Sequence, residues 1–257
     1  MALRDAPVGI PNQGNTCYLN STIQLMAICK DYIHVKDSPL FPFFNALCKG
    51  HVIPAVPRIL VARLFPEFNN YFQHDAHEYL LRLLEATEKC GASKVFDGVF
   101  DVSVSFPDCN HINRHTEPFR TLSIETNTDM ETAFRSFLSA EKVVSTCDTC
   151  NDNVKKDAFR TLSIQTWPKY LIIQWKRFTN AHAKKKDRIL IPSVWRKYTL
   201  RGTIQHIGNT SASGHYTACT KQNNKWYLCN DNKIVTLEER HVLRAAEVAY
   251  MVLLQHR

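Results

Sequence analysis

Hydrophobic residues recur with one period in the first third of the chain and with another in the rest, and this change limits the folds available. Leu19, Ile23, Leu25, Met26 and Ile28 recur at helical spacing. Between Asp75 and Cys90, Ala76, Tyr79, Leu80, Leu83, Leu84 and Thr87 form one stripe, opposite His77, Glu78, Arg82, Glu85 and Glu88. A shorter helix is expected over 56–65, between Pro57 and Pro66. From about Lys94 alternation takes over, in Val95–Val104 and Phe119–Glu125, with a brief return to helical spacing at Met130, Phe134, Phe137 and Leu138. Strand candidates then follow at Phe159–Gln165, Tyr170–Trp175, Lys197–Gln205, Tyr216–Lys221, Lys225–Cys229 and Val248–Gln255. Helices first and strands later predict an α+β chain rather than repeated strand–helix units. A helical lobe of about residues 9–93 would face a sheet lobe of about 94–257 across a cleft.

The chain has 257 residues, 44% of them apolar, which is enough to bury a substantial core. It has no run of 18 apolar residues and no leader pattern, so membrane spanning and secretion are not expected. Nine cysteines, an odd number scattered from Cys17 to Cys229, suit a reducing intracellular compartment, cytoplasm or nucleus, better than a disulfide framework. Thirty-two basic against 24 acidic residues give a net charge of +8, concentrated locally at Lys184, Lys185, Lys186 and Arg188. No aromatic-interleaved motif accompanies that run, so it reads as a solvated loop and not as a specific nucleic-acid site.

The segment GIPNQGNTCYLNS, Gly9–Ser21, places Cys17 after a turn-rich stretch and before the first helix. There, helix-terminal amides or a nearby imidazolium would lower the thiol pKa, with Thr16 or Asn15 capping the first turn. Far downstream, Gly214-His215-Tyr216 offers a base beside a glycine that permits close approach. Taken singly, these residues have plainer readings. A lone cysteine before a helix is usually structural, Asn12 would be a turn residue near Pro11 and Gly14, and Asp75 with Glu78 has the spacing of a capping box.

Together they resemble a known family. GIPNQGNTCYLNS looks like the cysteine box of the ubiquitin-specific proteases, and SGHYTAC with KWYLCND looks like their histidine box. Between them, YFQHDAHEYLLRLL resembles the family's acidic segment and WPKYLIIQWKRF its Pro-x-x-Leu strand ending in Arg-Phe. The four blocks fall in order from Gly9 to about Leu254. The resemblance implies a papain-like cysteine protease fold with a helical thumb, a β-sheet palm and β-rich fingers, in one catalytic domain filling the chain. It further implies hydrolysis, without a cofactor for the chemistry, of the bond after the C-terminal glycine of ubiquitin through a thioester. Ubiquitin or ubiquitinated proteins would be the partners, alongside regulatory proteins. Cys17 would be the nucleophile and His215 the base. Asn230 would orient the imidazole where aspartate is commoner, with Asp231 beside it able to compensate. Asn12 and the Cys17 N–H would stabilise the oxyanion. Gln73, Asp75, Glu78 and Tyr216 would line the path of the ubiquitin tail. A ubiquitin-like modifier as substrate, or a ubiquitin-binding scaffold without turnover, are the alternatives. With the cysteine box near the start and the last strand near the end, no separate targeting domain is expected.

Members of that family commonly carry two Cys-x-x-Cys pairs that bind structural zinc at the fingertips. Here Cys147 and Cys150 form one pair, but the other reads CNHINRH, with Ile112 where a cysteine would complete the pair with Cys109. His111 or His115 could supply the fourth ligand of a Cys3His site, and a metal-free turn is the alternative.

Overall fold

The computed structural model describes residues 5–51, 55–151, 153–179, 181–211 and 213–257, and, of the side chains in 55–64, those of Arg58, Ile59, Val61, Ala62 and Arg63. Helices α1 (Cys17–Ala27), α2 (Lys30–Ile33), α3 (Phe41–Cys48), α4 (Ala55–Leu64) and α5 (Ala76–Ala86) come first. Strands β1 (Gly98–Phe106), β2 (His111–Phe119) and β3 (Thr121–Ile124) precede α6 (Met130–Leu138). There follow β4 (Glu141–Thr146), β5 (Lys155–Thr166), β6 (Tyr170–Trp175), β7 (Val194–Trp195), β8 (Tyr198–Ile207), β9 (His215–Gln222), β10 (Lys225–Asn230), β11 (Lys233–Leu237), α7 (Glu239–Ala246) and β12 (Met251–His256).

Every residue of α1 from Cys17 to Met26 is buried, so this helix is covered on all sides rather than along one apolar face. Most of its polar side-chain atoms are paired, Asn20 Oδ1 being an exception. Thr22 Oγ1 donates to the Tyr18 and Ala76 carbonyls, and Gln24 Nε2 donates to the Val8 carbonyl. In α5 the apolar stripe is buried as its period predicts, and Asp75 caps the helix by accepting the His77 and Glu78 N–H groups at 2.7 and 3.0 Å.

The larger sheet runs β11-β10-β9-β8-β12-β6-β3, with β7 paired to β8. All six residues of β6 are buried because both faces of the sheet are covered. Tyr170 and Ile172 join the core shared with the helices, while Leu171, Ile173 and Trp175 join a second core behind the sheet. Strand β12 divides in the same way, with Met251 and Leu253 on one face and Val252 and Leu254 on the other. A second, four-stranded sheet has the order β2-β1-β5-β4.

Several elements differ from the sequence expectation. Val95 lies in a 3-10 turn over Ala92–Phe96, and the strand begins only at Gly98. Strands β2, β4 and β11 and helix α7 were not foreseen. β2 exposes most of its side chains, so its sequence carries little alternation to read. The lysine run is also less open than a solvated loop. Lys185 pairs with Glu125 at 2.9 Å, Arg188 pairs with Glu247 at 2.7 Å, and Lys184 turns inward to the His206 carbonyl. No helix among the described residues is long and apolar enough to cross a membrane.

Behind the sheet, Glu131 of α6 accepts from Arg196 Nη2 at 2.8 Å, Arg135 Nε at 2.8 Å and Trp195 Nε1 at 2.8 Å. The Arg196 bond leads in pulling its carboxyl down to about 2. A depressed pKa stabilises the fold above the ordinary carboxyl value, and that contribution is lost as pH falls through the folded value. Glu131→Gln is therefore expected to cost about 1 kcal/mol at neutral pH, after allowance for solvent screening. In urea melts the gap to the parent protein should close as pH falls from about 4.5 toward 2.

Candidate active site and metal cluster

Cys17 is the first residue of α1. Thr16, at the N-cap position, makes no side-chain capping bond, contrary to the sequence expectation. Its hydroxyl instead accepts the Gln13 N–H at 2.9 Å, and its own N–H donates to Asn12 Oδ1 at 3.0 Å. The turn before the helix is thus cross-linked through Asn12, whose Oδ1 is used and whose Nδ2 donates to Asp231 Oδ2 at 3.0 Å. Asp231 Oδ1 accepts from Asn20 Nδ2 at 2.7 Å, and the Asp231 carbonyl accepts the Ile10 N–H at 2.9 Å. Gly9 fits closely against the same turn, since a Cβ there would lie 2.3 Å from the Asn232 carbonyl oxygen.

Asn230 and Asp231 therefore have separate partners. Strand β10 ends at Asn230, and Asp231 takes a left-handed φ of 50° that turns its carboxylate to Asn12 and Asn20. Asn230 Oδ1 lies 2.7 Å from His215 Nε2, which leaves the other ring nitrogen, Nδ1, for a reacting group. Asp231 does not share the imidazole as the sequence reading allowed. Both its carboxylate oxygens are occupied across the turn.

His215 opens β9, the strand that packs against α1, and the backbone amides of Tyr216 and Tyr18 favour the Cys17 thiolate. Burial opposes them more strongly, and the Asp231 carboxylate adds to the opposition. The net effect raises the thiol pKa, whereas the sequence suggested a lowered one.

Gly214 serves packing rather than an unusual backbone angle. A Cβ at this position would fall 2.2 Å from His206 Nε2, and its N–H donates to Gln73 Oε1 at 2.9 Å. His206 is buried, edge-on to Tyr216 at 4.7 Å, and burial leads in lowering its pKa to about 4, so it packs as a neutral ring. Sequence reasoning missed His206. Its signal was a histidine inside the alternating strand before the glycine-rich turn. Gly214→Ala is expected to cut turnover at Cys17 by about 100-fold through displacement of His215. His206→Ala added to that variant should restore at least ten-fold of the loss in a coupled hydrolysis assay.

Asp75 is spent inside the protein. Its Oδ1 caps α5, and its Oδ2 accepts from Tyr250 at 2.7 Å and Tyr216 at 3.2 Å. Tyr216 is buried, and burial followed by the Asp75 charge pushes its hydroxyl far up. Glu78 is exposed on the first turn of the same helix, and Gln73 lies on the loop before it.

At the end of the smaller sheet, the donor atoms of Cys109, His111, Cys147 and Cys150 lie within 4.8 Å of one another. Cys147 Sγ is 3.7 Å from Cys109 Sγ and 3.4 Å from His111 Nδ1, and Cys150 Sγ is 3.5 Å from the same nitrogen. A tetrahedral zinc with ordinary bond lengths requires roughly 3.8 Å between sulfurs and about 3.5 Å between sulfur and nitrogen. The short Cys-x-His spacing works because Asn110, in the turn between β1 and β2, has a left-handed φ of 56° that reverses the chain between the two ligands. His115 points elsewhere, to Glu117 Oε1 at 3.0 Å.

The family profile described as ubiquitin carboxyl-terminal hydrolase matches residues 8–253. The chain belongs to this family. It is 29% identical over 316 aligned residues to ubiquitin carboxyl-terminal hydrolase 23 of Arabidopsis thaliana, covering 98% of this chain and 36% of the relative. For ubiquitin carboxyl-terminal hydrolase 20 of the same plant the identity is 28%, covering 91% and 41%. For ubiquitin carboxyl-terminal hydrolase 12 of Salmo salar it is 24%, covering 91% and 82%. The chain thus spans less than half the length of the two plant relatives. Among solved structures, the SAGA DUB module of Ubp8, Sgf11, Sus1 and Sgf73 bound to monoubiquitin matches with a TM-score of 0.78 at 22% identity, over 100% of this chain and 70% of the other. The same module bound to ubiquitin aldehyde matches at 0.78 and 21%, over 100% and 71%. At such identity the likeness is one of fold, and the fold of this family member is the α+β, papain-like one.

Proposed function

We propose that this chain is a thiol-dependent deubiquitinase that cleaves the isopeptide or peptide bond after the C-terminal glycine of ubiquitin. The observation that carries the proposal is the junction of α1 and β9. Cys17 heads the buried helix, β9 packs against that helix and opens with His215, and His215 is held through Nε2 by Asn230. His215 takes the thiol proton and the thiolate attacks the terminal glycine carbonyl. The resulting oxyanion is met by the Cys17 N–H and by the second N–H of Asn12 Nδ2, whose first is fixed by Asp231. Collapse expels the lysine amine, protonated by His215, and leaves a thioester. Water, deprotonated by His215, then releases ubiquitin with a free carboxylate and regenerates the thiol. A neutral amide at Asn230 fixes the ring's orientation but stabilises an imidazolium less than a carboxylate would. Asp231 acts as a positioning residue for Asn12. Gln73, Asp75 and Tyr216 shape the channel for the tail, and Glu78 presents its carboxylate to basic side chains there.

The fingertip cluster holds a structural zinc through Cys109, His111, Cys147 and Cys150, a donor set and spacing that suit this metal. Ubiquitin or ubiquitinated proteins are the partners, together with regulatory proteins. None of the nine cysteines is in a disulfide, which supports a reducing intracellular setting in cytoplasm or nucleus.

Reaction with a panel of C-terminal electrophiles built on ubiquitin and on its relatives, read by intact mass, tests the reading. One ubiquitin adduct on Cys17 is expected. Preferential labelling by another modifier would reassign the substrate, and absence of labelling by every probe would leave a binding scaffold.

A further inference from the structure

Of the four tryptophans, Trp175, Trp195 and Trp226 are buried, whereas Trp167 is partly exposed. It walls a cavity of about 180 Å³ together with Arg196, Lys197, Tyr198 and His256. This cavity opens over the core behind the sheet, where Trp195 and Tyr198 pack, and not over the core that contains Cys17. Nothing in the proposed hydrolysis uses it.

The cation in its wall is fixed in place. Arg196 lies in the turn between β7 and β8 with a left-handed φ of 51°, a conformation uncommon for a residue with a side chain. Its guanidinium carbon stands 4.7 Å from the Phe134 ring centre, 5.0 Å from that of Trp195 and 5.9 Å from that of Trp167, and Nη2 bonds Glu131. That φ is what a two-residue hairpin turn between Trp195 and Tyr198 requires, and aromatic faces with a carboxylate fix the side chain above it.

The surroundings carry an excess of positive charge. Arg257 donates through Nη2 to the Arg196 carbonyl at 2.7 Å, Lys197 is exposed at the rim, and Arg135 shares Glu131 with Arg196. Arg196 and Arg135 share the Glu131 carboxylate, while Lys197 and Arg257 contact no acidic side chain among the described residues. An aromatic recess with a cationic rim complements an aromatic side chain flanked by acidic residues. The ring would enter beside Trp167 and Tyr198, and the carboxylates would meet Lys197 and Arg257.

We propose that this recess is a docking site for an acidic, aromatic-bearing peptide segment of a partner protein, separate from the groove that leads to Cys17. The test uses the full chain and an end-capped pentapeptide, Glu-Glu-Phe-Glu-Glu, followed by tryptophan fluorescence and calorimetry. Saturable binding is expected below about 1 mM, at least ten-fold weaker when alanine replaces the phenylalanine. Lys197→Glu and Trp167→Leu should each weaken binding at least ten-fold without changing hydrolysis at Cys17. Lys197 is exposed, so its variant remains informative if Trp167→Leu fails to fold. Three results would overturn the proposal: no saturable binding, equal affinity for the alanine peptide, or affinity unchanged by Lys197→Glu. Displacement of the peptide by a short oligothymidylate that binds Trp167→Leu equally well would assign the surface to phosphates instead.

Discussion

Replacing Cys17 by alanine is expected to lower hydrolysis of a ubiquitin C-terminal amide by ~10⁴-fold or more while leaving ubiquitin binding measurable. Loss of the nucleophile leaves only oxyanion donors and binding, which cannot replace covalent attack. The substitution removes little from the fold, because Cys17 sits at the first turn of α1, where alanine suits the helix. The same geometry sets a pH signature. Burial and the Asp231 charge raise the thiol pKa above the ordinary value of 9.0, so an uncharged alkylating agent should label Cys17 at a rate that still climbs through pH 9. A plateau near neutral pH would show instead a preformed imidazolium–thiolate pair. Asp231→Asn should shift that profile to lower pH by removing the opposing charge, yet slow turnover by loosening its hold on Asn12. Retained hydrolysis in Cys17→Ala would end the assignment of this residue.

What the sequence showed and what it hid follow from how each interaction is encoded. Helices α1 and α5 and strands β6 and β12 were legible because burial imposes a period or an unbroken apolar run on neighbouring residues. Strand β2 was not, because a strand exposed on most positions has no such constraint. The two halves of the site were legible as motifs, but their partners were not. Gly214 read as a glycine needing space, whereas the ring that needs the space is His206, eight positions upstream on the paired strand. Asp75 read both as a cap and as a contact for the tail, and the hydroxyls of Tyr216 and Tyr250 occupy its other oxygen from 141 and 175 residues away. Likewise, the division of labour between Asn230 and Asp231 depends on one left-handed residue, which a continuing strand would have hidden.

Loss of the fingertip metal should produce the other large effect, on folding rather than on chemistry. The ligands join strands at opposite edges of the smaller sheet, β2 and the end of β4, and the Asn113 side chain adds a bond to the Thr146 carbonyl at 3.0 Å. A metal ion there therefore closes the sheet on itself. Without it, three sulfurs and an imidazole within 4.8 Å of one another are left with weak sulfur hydrogen bonds in place of metal–ligand bonds. Structural zinc contributes ~10–16 kcal/mol of apparent binding energy in small metal-dependent folds, so even partial coupling makes loss of one ligand worth about 3 kcal/mol or more. The purified protein should hold about one zinc per chain, and a content well below that would reject the site. Cys147→Ser, or treatment with a chelator, is expected to speed hydrogen exchange at the Cys109 ends of β1 and β2 and the Cys147 ends of β4 and β5. Alkylation of Cys17 should keep its rate, because that thiol is buried in the other core. His111→Ala should behave like the chelated protein, His111→Cys should retain zinc, and His115→Ala should change nothing, since His115 bonds Glu117 instead. Zinc retained by His111→Ala but lost from His115→Ala would reverse the ligand assignment. Slower reaction with a ubiquitin electrophile through a higher KM, at unchanged reactivity toward a small alkylating agent, would place the metal's role in holding the substrate.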